Sequence, residues 1–176
     1  PDRAIETYQA VLEHQPHNGI VLEALERLFR AHDRPDDLVQ VLRLQVELAD
    51  GDPDSCRTCL VRLGRALEQS DPEEAASCLH RARGMGPRDP DVEEALARLL
   101  VHNGRADEAV ELIASQVEAA RAEGLPAEEV AALQVRLARI QDSQLEQHDR
   151  ARHTLEQALG EQPRNPEVLR ELADHF

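Results

Sequence analysis

One feature limits the possible folds more than any other: the chain repeats itself over a long period. Aligned on Pro16, Pro87 and Pro163, each segment has an alanine twelve residues upstream (Ala4, Ala75, Ala151). Downstream come Asn18, Asp89 and Asn165 at +2, Val21, Val92 and Val168 at +5, Leu25, Leu96 and Leu172 at +9, and Phe29, Leu100 and Phe176 at +13. Gln45-Val46-Glu47 returns as Gln116-Val117-Glu118, an offset of 71. Val61-Arg62-Leu63-Gly64-Arg65 returns as Val135-Arg136-Leu137-Ala138-Arg139, an offset of 74. A period of that length is one supersecondary unit or two, stacked on neighbours of its own kind.

The period inside each unit is helical. Leu22, Leu25, Leu28 and Phe29 form one run, and Leu38, Val41, Leu42, Leu44, Gln45 and Leu48 another, recurring at three- and four-residue steps. Prolines fall between the runs, and Asp52, Asp71, Asp89 and Asn165 each precede one, as an N-cap precedes proline at the first helical position. The pattern predicts ten helices, at about 2–15, 18–32, 35–50, 53–70, 72–84, 90–103, 105–123, 126–146, 148–161 and 165–176. Short connections make consecutive helices antiparallel hairpins. Aromatics are 2% of the chain and Trp is absent, so the core is one of Leu, Val and Ala, which suits close helices and not a β-sandwich or barrel. The fold class is therefore all-α.

Each long repeat is two hairpins, and half of it resembles the tetratricopeptide repeat (TPR). The residues that carry this are Leu60-x-x-Leu63-Gly64-x-x-Leu67, then Ala75-x-x-x-Leu79, then Pro87. A second set is Leu96-Ala97-x-x-Leu100, Gly104 and Ala109-x-x-x-Ile113. Leu169-x-x-Leu172-Ala173-x-x-Phe176 closes the chain, and Ala4-x-x-x-Tyr8 with Pro16 is the second half of a repeat. The sequence departs from the pattern where Glu26 takes the place of the small residue in the first complete repeat and where alternate repeats carry longer helices. The resemblance implies an α-solenoid, TPR-like rather than HEAT-like, forming a right-handed superhelix. It makes residues 1–176 one repeat array, with hairpins at 18–50, 53–84, 90–123 and 126–161 and partial units at 1–15 and 165–176. The opening at Pro1 without Met, and a last helical pattern running up to Phe176, suggest a piece of a longer protein.

The resemblance also implies a function: a scaffold or adaptor, not an enzyme, holding a protein or peptide in the groove lined by the first helix of each hairpin. The alternative is a regulatory or substrate-recruiting module of a larger multidomain enzyme. On those first helices, Arg27, Arg65, Arg98 and Arg139 each follow a key leucine by two residues, and Asp174 takes that place in the last helix. A ladder of guanidinium forks suits an acidic segment. The competing reading is an ordinary helix-surface ion pair, since Glu23 precedes Arg27 by four and Glu94 precedes Arg98 by four.

Charge sets further limits. All 20 basic residues are Arg, a bias of GC-rich and perhaps bacterial coding, and the net charge is −15. Phosphate backbones require clustered positive charge, so nucleic acid is a poor partner. No stretch reaches the roughly 18 apolar residues of a membrane helix. Cys56-Arg57-Thr58-Cys59 lacks the context of a redox motif or a zinc site; Cys59 and Cys78 read as core residues of adjoining helices. Three thiols, an odd number, fit a reducing, cytoplasmic compartment, with the periplasm as the alternative. His14, His32 and His102 fall near helix C-termini as carbonyl caps. The acid pairs Asp36-Asp37, Glu73-Glu74, Glu93-Glu94 and Glu128-Glu129 fall in first turns and complement helix dipoles. No cofactor or metal is called for. Repeat ends without polar caps would allow self-association.

Overall fold

The computed structural model describes residues 2–174. Among them are ten helices: α1 Asp2–His14, α2 Gly19–Ala31, α3 Pro35–Leu48, α4 Pro53–Leu67, α5 Pro72–Arg83, α6 Pro90–His102, α7 Ala106–Glu123, α8 Ala127–Ser143, α9 His148–Glu161 and α10 Pro166–Asp174. The residue at the repeat position Phe176 lies outside the described residues. The spans follow the sequence pattern, with α4 and α8 each ending three residues early. Chain stop signals explain both. Asp71 must leave helical geometry ahead of Pro72, and its φ is −146°. Glu146 takes a left-handed conformation, φ 53°, while the Gln147 N–H reaches back to the Gln141 carbonyl at 2.8 Å.

The caps work as the sequence pattern requires. The side chain of Asn18 accepts from the Val21 N–H, Asp71 from Glu74, Asp89 from Asp91 and Val92, and Asn165 from Glu167 and Val168. Each satisfies donors that a helix start would otherwise leave orphaned. Asp52 is the exception: it stands at the N-cap of α4, but its side chain makes no cap hydrogen bond to the backbone and its carboxylate accepts the Ser55 hydroxyl instead. His14 and His102 are the last residues of α1 and α6, and His32 is the C-cap of α2.

The chain divides into two compact units, Pro1–Leu99 and Leu100–Phe176, with the boundary inside α6. In the first unit α1 packs on α2, α2 on α3, α3 on α4 and α4 on α5. Ile5, Val21, Leu22, Leu25, Phe29 and Val41 form one buried cluster there. Gly64 of α4 sets a close approach to α5: a Cβ at that position would stand 2.8 Å from Leu79 Cδ2 and 3.2 Å from the Ala75 carbonyl oxygen. In the second unit α7 packs on α8, and α8 and α9 both pack on α10 as well as on each other. Ala131, Val135, Ala138, Ala151, Leu155, Ala158, Val168 and Leu172 make an alanine-rich core there. Burying each of these Leu, Val or Phe side chains contributes about 1.5–3 kcal/mol, and one hairpin alone could not supply enough of them. The repeat positions behave alike in both units, except that Ala4 is exposed where Ala75 and Ala151 are fully buried.

Candidate partner-binding surface

The leucine-arginine spacing works as a lever. Two residues turn a helix by about 200°, so a buried leucine puts its arginine on the far face. Leu25, Leu63, Leu96 and Leu137 are buried, and Arg27, Arg65, Arg98 and Arg139 are all exposed. Asp174, after buried Leu172, is exposed too.

The four arginines nonetheless differ. Arg98 reaches back to Glu68, just past the end of α4, at 2.6 Å. Arg139 reaches forward to Glu171 and Glu167 on α10, at 2.5 and 3.2 Å. These two already have carboxylates, supplied by the neighbouring hairpin. Arg27 and Arg65 have no hydrogen bond or ion pair among the described residues, and neither has Glu23, one turn before Arg27. The Glu23–Arg27 pair expected along the helix is thus not formed. Arg27 borders a shallow cleft of about 340 Å³ between α1 and α2, with Tyr8 and Leu28 on its walls. Glu94 is exposed on α6 and has a bonding partner.

A second feature stands where the repeat pattern fails. The small residue of the hairpin is Gly64 in α4, Ala97 in α6 and Ala138 in α8, all buried. In α2 it is Glu26, whose side chain is only 7% exposed. A buried carboxylate needs donors, and three converge on it. Gln45 of α3 donates at 3.0 Å, Arg62 of α4 at 3.1 Å and Arg30 at 3.0 Å. Above this group, where the start of α2, the end of α3 and the start of α4 meet, opens a pocket of about 470 Å³. Glu23, Asp52 and Asp54 line it together with Leu48, Thr58 and Gln45. The Ser55 hydroxyl, which donates to it, holds the Asp52 carboxyl below its ordinary range. Sequence reasoning noted Glu26 as a departure and missed this pocket. The available signal was a carboxylate at a position that must be buried.

Of the CxxC pair it is Cys56, not Cys59, that is buried, together with Cys78; Cys59 is half-buried at the pocket wall. Burial pushes the Cys59 and Cys78 thiols up, away from thiolate reactivity. No cluster of three or more His, Cys, Asp or Glu suited to a metal occurs among the described residues. No helix among them is long and apolar enough to cross a membrane.

Two family models match the chain, both described as tetratricopeptide repeat, over residues 66–137 and 135–176. This chain is a TPR-like repeat protein. The kinesin light chain TPR-like repeats of Podosopora anserina share 25% identity, over 92% of this chain and 86% of that one, with a TM-score of 0.62. The MamA protein shares 20% identity, covering 92% and 82%, at 0.61. The N-terminal domain of stress-induced protein-1 from C. elegans shares 18%, covering 71% and 98%, at 0.57. The last two show the fold alone, an all-α TPR solenoid. No curated protein matches the sequence. TPR-like folds typically serve protein–protein interaction and are generally scaffolds rather than enzymes.

Proposed function

We propose that this TPR-like chain is a non-catalytic binding module that takes a peptide or protein partner along the exposed faces of its first-of-hairpin helices. Arg27 and Arg65 are the contacts open to an acidic residue of that partner. The observation that supports this is their difference from Arg98 and Arg139. All four occupy one repeat position, yet among the described residues only Arg27 and Arg65 of the four have no carboxylate partner, and Arg27 stands beside the Tyr8–Leu28 cleft. A free exposed arginine next to an apolar cleft is the kind of residue that anchors an interface. The free thiols of Cys56, Cys59 and Cys78 fit the reducing environment of a cytoplasm.

The test begins with affinity capture from lysate of the source cell, followed by binding of the identified partner as pure protein. R27E/R65E is the variant to compare with wild type, because reversing Arg98 or Arg139 would also break ion pairs within the fold. Loss of binding by about ten-fold or more supports the reading, since two interface charges have been reversed. Equal affinity of wild type and variant moves the binding face elsewhere.

A further inference from the structure

The pocket at the junction of α2, α3 and α4 combines features that a surface hollow does not normally have together. Its volume, about 470 Å³, falls in the range of ligand sites. Gln45, which lines it, is 6% exposed, and its Oε1 is buried with no hydrogen-bond partner. The orientation of that amide is fixed by its neighbour. Nε2 faces the Glu26 carboxylate at 3.0 Å and must be the donor, which leaves Oε1 as an unpaired acceptor. A buried acceptor without a donor costs roughly as much as a lost hydrogen bond, so a donor arriving there is favoured.

The charge around the pocket has one sign. Glu23 and Asp54 have no ion pair among the described residues, and Asp52 takes only the Ser55 hydroxyl. The single cation in the lining, Arg62, is held by Glu26. Leu48, Ala49 and Gly19 supply an apolar wall, and Ile20, 82% exposed, stands next to it in α2. Carboxylates, an apolar wall and, in the same lining, a glutamine with an unpaired acceptor match a charged head on a methylene stem.

We propose that this pocket receives a basic side chain, arginine or lysine, from the partner segment. Its head would lie among Glu23, Asp52 and Asp54 and donate toward Gln45, and its stem would lie along Leu48. The guanidinium is the better fit of the two, because its five donors can serve several carboxylates and the amide oxygen together. The proposal rests on the protein-binding reading and deepens it: the partner would carry a basic residue for the pocket and an acidic one for Arg27, one turn along α2.

The test needs no partner, so the two readings can fail separately. Uniformly 15N-labelled full chain is titrated with Nα-acetyl-arginine methylamide, Nα-acetyl-lysine methylamide and Nα-acetyl-glutamate methylamide while amide shifts are followed by NMR. The expected result is saturable shifts centred on the Gln45 side-chain amide, Gly19 and Thr58 with the two cationic probes and none with the glutamate probe. Tighter binding of one cation than the other identifies the head group. The double variant E23Q/D54N alters two exposed residues whose side chains have no partner among the described residues. It should weaken the cationic probes by about five-fold, as two exposed charge contacts imply. Shifts spread evenly over the acidic surface, no shifts at Gln45, or equal affinity in E23Q/D54N would overturn the proposal while leaving the protein-binding reading intact.

Discussion

Glu26 shows how much one residue can alter a repeat. At the position where the other hairpins carry Gly64, Ala97 or Ala138, it draws Gln45, Arg62 and Arg30 into one buried group. E26A restores the repeat pattern and should nevertheless destabilise the chain by about 1–2 kcal/mol, measured by urea unfolding. The figure is modest because Arg30 and Arg62 are 60% and 41% exposed and can turn to water, leaving Gln45 as the group that loses its acceptor. No loss in E26A would mean that the carboxylate only offsets its own desolvation. Asp33 offers the reverse case. It ends α2 with φ 51°, at the repeat position that Gly104 fills with φ 73°. Left-handed backbone strains a non-glycine residue, so D33G should raise stability by about 0.5 kcal/mol despite the added freedom of the unfolded chain. His148 is one residue through which pH acts. Its Nδ1 lies 2.6 Å from Asp142, and that hydrogen bond raises its pKa above the ordinary 6.5. A raised histidine pKa contributes stability that is full below the unfolded value and lost as pH rises through the folded one. The NMR titration midpoint of His148 should therefore fall toward its ordinary value in D142N, and an unchanged midpoint would remove Asp142 as the cause.

At the scale of elements, the α4–α5 hairpin crosses closely at Gly64. A Cβ on Gly64 would meet Leu79 Cγ and Cδ2 at 2.9 and 2.8 Å, and Leu79 is fully buried. G64A gains up to about 1 kcal/mol of helix propensity, but the backbone oxygen of Ala75 cannot easily give way. Overpacking of this kind costs about 1–3 kcal/mol, so a net loss of about 1 kcal/mol is expected from thermal or urea unfolding. A stabilised G64A would show that the hairpin can open to admit a methyl group. Between hairpins the links are ion pairs some thirty residues apart in sequence: Arg43–Glu74, Arg57–Asp89 and Arg98–Glu68 in the first unit, Arg139–Glu171 in the second. They set register more than stability, since exposed pairs of this kind contribute little.

For the whole molecule, the net charge of −15 outweighs those pairs. Self-repulsion destabilises a compact chain and salt screens it. Raising NaCl from about 10 to about 150 mM should lift the unfolding midpoint by roughly 2–4 °C, the equivalent of about 1 kcal/mol for a chain of this size. A fall would mean that the inter-hairpin ion pairs dominate. Sequence alone determined the ten helices, their caps and the leucine, valine and alanine positions of the core, because these depend on local period and on burial that every repeat shares. Asn18, Asp89 and Asn165 could be assigned as caps from spacing alone. Sequence also determined that the arginines after the key leucines face outward, since helix geometry fixes that. Only the tertiary structure decided which of them are free. Arg98 and Arg139 find carboxylates on neighbouring hairpins, whereas Arg27 and Arg65 find none among the described residues. That outcome depends on how successive hairpins are set against each other, a distance of about thirty residues along the chain that no helical period encodes. The acidic pocket has the same origin. Glu23, Gln45, Asp52 and Asp54 come from three helices and a turn, and they become one site only when α2, α3 and α4 pack around the carboxylate of Glu26.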